Sequence, residues 1–299
     1  MEISETFCRI GAIMWYVLFS VICSVTVSVI LKIGKQKGFR HLHLIVWNYP
    51  VAAAATFLLL SPEFPDMSIQ DLPWGLYSAL AILLPIIFVC IAYAIEFSGI
   101  VKTEVAQRLS LFIPLIAAFF IFHEDIGSGK LIGIAVGLLA IVCSIGWNKR
   151  RGNTSSSGKW LFPALVFVGM GIIDILFKKV ALYQETSYAF SMFVIFILAM
   201  VVAIGMLLYK VWRYKEVVKK GTMVWGIALG LFNFGNILFY MKAHRALPES
   251  PSVVFTGMNI GVIVIGALVG LAFFKEKLTL LNKVGLALAL VAVLIIAYL

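Results

Sequence analysis

The sequence predicts an all-α integral membrane protein, with ten transmembrane helices arranged as two inverted five-helix repeats around a central cavity. Three observations predict it. The 299 residues are 62% hydrophobic and only 13% charged, with a mean hydropathy of +1.05, whereas a soluble domain carries about 25% charged residues. So little polar surface cannot coat a water-soluble particle of this size, so lipid must be the solvent for most of the chain. Apolar runs long enough to span a bilayer, roughly 20 residues each, recur along the chain between polar or Pro/Gly breaks. The two halves of the chain also resemble each other.

The apolar runs lie at 11–33, 42–60, 73–97, 102–122, 130–147, 160–181, 187–209, 222–243, 251–274 and 279–298. The first is too long for a signal-peptide core and lacks both a basic flank and a cleavage site, so it reads as a retained helix. The longest polar stretch, Asn148 to Lys159, is rich in Ser and Gly. It divides the chain into a first repeat (1–148), a linker (149–159) and a second repeat (160–299), each repeat with five spans. Shifting the sequence by 152 positions lays "FFIFHEDIGSGKLIGIAVGLLAIVCSI" over "LAFFKEKLTLLNKVGLALALVAVLIIA" without a gap. Glu124 then falls on Glu276, Gly133 on Gly285 and Gln107 on Asn259. A repeat with an odd number of spans enters the membrane in opposite directions, the inverted-repeat geometry of many secondary transporters.

A net charge of +10 raises the possibility of nucleic-acid binding. The basic residues form no single stripe, however. They cluster between apolar runs, as Lys32, Lys35, Lys37 and Arg40, as Lys149, Arg150 and Arg151, and as Arg213, Lys215, Lys219 and Lys220. That is the pattern of cytoplasmic loops, and no nucleic-acid partner is expected. The four cysteines are far apart, with no CxxC spacing, and read as small buried side chains. No phosphate loop, nucleophile elbow or HExxH occurs. Adjacent residues of His123, Glu124 and Asp125 would point different ways on a helix. Neither enzyme activity, cofactor nor metal is therefore expected.

Each half carries a helix ending in an acidic residue (Glu124, Glu276), a short polar turn, and a final helix with an early glycine (Gly133, Gly285); Pro114 sits ten residues before Glu124. This arrangement resembles the EamA-type repeat of the drug/metabolite transporter superfamily, two copies of which make the family's usual ten-helix layout. The resemblance implies a central cavity lined by both halves and alternating access to the two sides. It also implies a small-molecule cargo, since members export amino acids and other metabolites, take up sugars, or exchange nucleotide sugars and phosphorylated sugars. The second copy departs from the pattern, with Gly266 where the first has Pro114.

Polar groups inside the apolar runs are the site candidates, because hydrocarbon penalises an unpaired ionised group by at least about 2.5 kcal/mol. Asp174 interrupts the run "LVFVGMGIIDILF". It reads as a proton or cation site, as the partner of a substrate amine, or as an ion pair with Lys178 one turn later. Asn233, Asn236, Tyr240 and His244 recur at three- and four-residue steps and so share one helix face. Such a face suits either hydrogen bonding to a polar solute or contact between helices. Gln107, Ser110 and Pro114 share a face of the fourth run, and Ser252, Thr256 and Asn259 one of the ninth. Arg108, about a turn inside, reads as a carboxylate clamp or as a residue snorkelling to the interface. The pairs Gly133/Gly137 and Gly257/Gly261 suit close helix packing or a homodimer face.

These readings converge on a secondary transporter for a small polar solute in the plasma membrane, with a coupling proton or ion. Amino-acid-like cargo leads, and a sugar or nucleotide-sugar carrier, a multidrug exporter or a non-transporting subunit are the rivals. Orientation is read in two ways. The basic clusters fall in alternate loops, which places both termini outside, whereas the family resemblance implies both inside.

Overall fold

The computed structural model describes residues 2–64, 68–98, 106–107, 109–122, 127–144, 161–215, 219, 221–274 and 280–298. Among these residues it is helical, with no strand. The helices are α1 (Glu2–Gln36), α2 (His41–Leu60), α3 (Trp74–Ser98), α4 (Phe112–Phe120), α5 (Ser128–Ser144), α6 (Leu161–Leu182), α7 (Tyr188–Tyr214), α8 (Thr222–Ala246), α9 (Pro251–Phe274) and α10 (Leu280–Tyr298). One helix thus lies in each expected apolar run.

The helix ends follow local chemistry. Gly38, in the left-handed region at φ 73°, closes α1, and the Phe39 amide donates to Gly34 O at 2.9 Å. Ser187 caps α7, its hydroxyl accepting from the Phe190 amide at 3.1 Å. Gly221, at φ 94°, introduces α8, and Pro251 stands at the first position of α9, where its missing N–H has no partner to lose.

Among the described residues, seven helices are long and apolar enough to cross a membrane: α1, α2, α3, α6, α7, α8 and α9. This is fewer than the ten crossings expected. The described part of α4 has nine residues, about 14 Å of helix against a hydrocarbon core of about 30 Å. The apolar segment of α5, Leu131–Ala140, is also short, and α10 is not among the seven. The exterior suits lipid: Phe57, Leu58, Leu59, Val201, Leu208, Val224 and Phe232 all face outward.

The most extensive packing joins α5 to α10, α1 to α8 and α9, α2 to α7 and α8, and α3 to α6 and α7. Every one of these pairs unites a helix of residues 2–144 with one of residues 161–298. Exchanging each helix for the one five places away converts α1–α8 into α3–α6, α2–α8 into α3–α7, and α1–α9 into α4–α6, all of which are packed pairs. The pairs α2–α7, α4–α9 and α5–α10 map onto themselves. Three of the glycines singled out in the sequence, Gly137, Gly257 and Gly261, lie at contacts between the two halves. A Cβ on Gly137 would stand 3.0 Å from Ile260 of α9, and one on Gly261 would stand 2.7 Å from Val21 of α1.

The bundle has a basic end and an opposite end. At the basic end Lys37 lies over the Trp225 ring at 4.8 Å; Arg213 in the last turn of α7 and Arg40, Lys215 and Lys219 in the loops belong to the same end. At the opposite end Arg245 lies over Tyr188 at 4.9 Å, and Phe64 meets Phe190 edge-on at 5.6 Å. The acidic residues Glu63, Asp71, Glu185 and Glu249 belong to that end. α1 runs towards the basic end, and α10 runs away from it, so both begin or finish opposite the basic loops.

Candidate functional site

The polar face of α8 meets a different neighbour at each step. Asn236 packs against α1, where the Ser20 hydroxyl donates to its backbone carbonyl at 2.8 Å and to its side-chain oxygen at 2.9 Å. Asn233, one turn closer to the basic end, is buried. Tyr240 reaches across to α6 and donates to Asp174 Oδ1 at 3.1 Å. His244 is fully buried and meets the Tyr240 ring edge-on at 4.6 Å and the Phe255 ring of α9 at 4.7 Å. Among the described residues neither ring nitrogen of His244 has a hydrogen-bond partner; the buried Thr256 hydroxyl, which also has none, belongs to the side of α9 that faces Gly137 of α5.

Asp174, Tyr240 and His244 thus gather where α6 and α8 meet, with Phe255 of α9 against the imidazole. Asp174 is eight residues from the end of α6, about 12 Å into the bundle. The phenol gives its carboxyl a donor, which hydrocarbon cannot. Lys178 does not pair with Asp174, contrary to the local ion-pair reading. It is fully buried, its ammonium donates to the Pro248 carbonyl at 3.1 Å, and it lies 5.7 Å from the centre of the Phe122 ring. The Pro248 bond ties α6 to the turn after α8, and Lys178 therefore stands between the cluster and the opposite end.

The other sequence candidates take separate places. The Asn259 amide donates to Phe255 O of its own helix at 3.1 Å. Gln107 is half-buried and its backbone carbonyl accepts from Ser110 Oγ at 2.6 Å; no contact seen here brings it to Asp174. Arg108, Glu124, Glu276 and the His123–Asp125 triplet lie outside the described residues.

Sequence reasoning missed two buried polar features. Ser20, the partner of Asn236, sits in an apolar stretch of α1 without any pattern to mark it. Tyr77, Thr186 and Ser191 form a closed hydroxyl triad, with Tyr77 Oη 3.1 Å from Thr186 Oγ1 and 2.8 Å from Ser191 Oγ, and these two 3.0 Å apart. The triad pins the start of α3 to the start of α7, and its members are too far apart in sequence to stand out.

Chemically, the cluster offers a carboxyl, a phenol and an imidazole. A neutral imidazole has one donor and one acceptor, and a hydroxyl has both. Orphaned polar groups this deep are costly unless something satisfies them. Among the described residues no three His, Cys, Asp or Glu side chains come together as a metal site.

A lipid-facing helical bundle with polar groups gathered in its interior defines a multi-pass membrane protein. Comparison with known proteins makes the class more specific. Residues 11–146 match the family model described as the EamA-like transporter family. A protein of Haemophilus influenzae, described as uncharacterized, is 38% identical over 288 residues, which cover 94% of this chain and 97% of that one. Over 84 residues, 28% of this chain and 72% of the relative, the sequence is 31% identical to the probable 4-amino-4-deoxy-L-arabinose-phosphoundecaprenol flippase subunit ArnE of Hamiltonella defensa. A protein crystal structure aligns with 95% of this chain and 96% of its own at a TM-score of 0.73 and 13% identity, a likeness of fold alone. The chain belongs to the EamA-like transporter family of the drug/metabolite transporter superfamily. Its placement as a multi-pass protein agrees with the plasma membrane.

Proposed function

We propose that the chain is a secondary transporter that moves a small polar metabolite of amino-acid type across the plasma membrane by alternating access. In this reading ten crossings form two inverted repeats, and the solute binds between them. The observation that carries it is the Asp174–Tyr240 hydrogen bond inside the bundle, beside the His244 ring nitrogens, which have no hydrogen-bond partner among the described residues. A solute with several donors and acceptors would complete those bonds. Asp174 offers an anion for an amine. The exchange symmetry of the helix packing supports the repeat, and the match of residues 11–146 to a transporter family supports the activity.

The test is counterflow in liposomes with a panel of amino acids and sugars, alongside thermal stabilisation of the purified protein by the same compounds. Stabilisation and counterflow by amino acids are expected. Stabilisation by sugars alone would discard the zwitterion, and absence of counterflow for every solute would favour a non-transporting subunit. The likeness to a flippase subunit for an amino-sugar phospholipid favours a second reading, in which the cargo is a lipid-linked or free amino sugar. Asp174 would then still face the amine, and the sugar arm of the panel separates the two.

A further inference from the structure

The two packing seams related by the helix exchange, α2–α8 and α3–α7, are not alike. On the first, a Cβ added to Gly226 would stand 3.1 Å from the Leu44 carbonyl. One added to Gly230 would stand 2.7 Å from Val51 Cβ and 2.9 Å from the Asn48 carbonyl, so the helices touch backbone to backbone. On the second, a Cβ added to Gly205 of α7 would meet nothing within 4 Å, and it is the hydroxyl triad of Tyr77, Thr186 and Ser191 that joins the helix starts. α2 and α8 both start at the basic end. Their glycine contacts therefore hold them together there, over about the first three turns.

The same stretch of α2 carries a buried amide with its bonds unmade. Asn48 is fully buried, and among the described residues neither its side-chain oxygen nor its nitrogen has a hydrogen-bond partner of good geometry. The Tyr49 hydroxyl, also fully buried, is in the same position. These two neighbours are close enough to engage each other, but one such bond leaves most of the carboxamide's two donors and two acceptor lone pairs unmet. Elsewhere the bundle pairs its buried groups, as Ser20 with Asn236 and Tyr240 with Asp174. An unmet polar group penalises the conformation that buries it, and the penalty ends when water reaches it.

We infer that the α2–α8 seam is a gate at the basic end of the bundle, closed by Gly226 and Gly230 and biased towards opening by Asn48. Opening draws the starts of α2 and α8 apart and wets the carboxamide. The inference rests on the alternating-access reading and adds to it the door to one side and the group that sets how readily that door opens. It does not depend on the identity of the cargo.

The experiment is thiol labelling of the full-length protein in lipid nanodiscs, with the four native cysteines replaced by alanine. The reporter is Ala52→Cys, at a wholly buried position of α2 one turn beyond Asn48. Ala55→Cys reports in its place should the first variant not purify. The probe is a small hydrophilic methanethiosulfonate, no solute is present, and Gln70→Cys at an exposed position calibrates the reagent. Slow labelling at position 52 is expected in this parent. Asn48→Leu removes the unmet amide and is expected to slow labelling at least about fivefold. Gly230→Ala wedges the seam and is expected to speed it by a similar factor, with labelling at position 70 unchanged. No labelling at either reporter position in the parent overturns the inference, and so does an Asn48→Leu rate equal to or above that of the parent. Counterflow is measured separately. Transport with both reporter positions unlabelled discards this gate alone, whereas labelling that follows the two variants without counterflow of any solute keeps the gate and discards the transport reading.

Discussion

A carboxyl group in hydrocarbon is tolerated only when its lone pairs are met, and at Asp174 the Tyr240 phenol does this from a helix 66 residues away. Tyr240→Phe keeps the ring against His244 but leaves the carboxyl without this donor. It is expected to cost about 1–3 kcal/mol, read as a lower melting temperature of the detergent-solubilised protein. Asp174→Asn is expected to abolish uptake driven by a pH gradient while leaving solute exchange intact, since exchange needs no net proton movement; loss of both would make Asp174 a purely structural or cargo-binding group. Lys178, Tyr240 and His244 are the ionisable neighbours against which that result must be controlled. At this scale the sequence was legible in part. The steps from Asn233 to His244 place four polar groups on one side of α8, because helical periodicity is local. Their partners are not local. The one-turn spacing of Asp174 and Lys178 suggests an ion pair, yet Lys178 turns to the Pro248 carbonyl and Asp174 to Tyr240, a choice made by how three helices meet.

At the scale of the element, helix positions are the most legible feature. The runs expected at 42–60, 73–97 and 251–274 appear as His41–Leu60, Trp74–Ser98 and Pro251–Phe274. Bilayer thickness fixes the length of an apolar run, and Pro, Gly and charged residues fix its ends, so both are written in composition. Which face a helix buries is less legible, because α8 sets apolar residues both inward, as Leu229 and Phe234, and outward, as Leu231 and Phe232. Its contact with α2 is set by Gly226 and Gly230, which admit the α2 backbone. Gly230→Val is expected to destabilise the protein by about 1–3 kcal/mol, because the nearest obstacle includes a backbone carbonyl that cannot rotate away. Gly205→Ala, on the seam with open space, is expected to leave the melting temperature almost unchanged. Comparable losses at the two sites would contradict the contrast between the seams.

At the scale of the molecule, charge is distributed by end. The loops near Arg40 and Lys219 are basic, while Glu63, Asp71, Glu185 and Glu249 lie at the other end. Positive loops tend to be retained in the cytoplasm, so the charge count predicts both chain ends outside, whereas the family resemblance implies both inside. A reporter that fluoresces only in the cytoplasm, fused after Leu299, is expected to stay dark, and a bright fusion would side with the family resemblance. The internal similarity visible in the sequence gives no hint of how the halves are joined. The sequence divides the chain into two repeats, and the broadest seams all run from one half to the other, down to the pairing of α5 with α10.

That interleaving has a consequence for how such a chain can be divided. Cut between residues 149 and 159, neither fragment would keep its principal contacts, and each would expose to lipid a set of faces shaped for the missing piece. Fragments synthesised together are expected to find each other and restore the intact assembly, whereas either one alone is expected to pair with a second copy of itself or to be degraded.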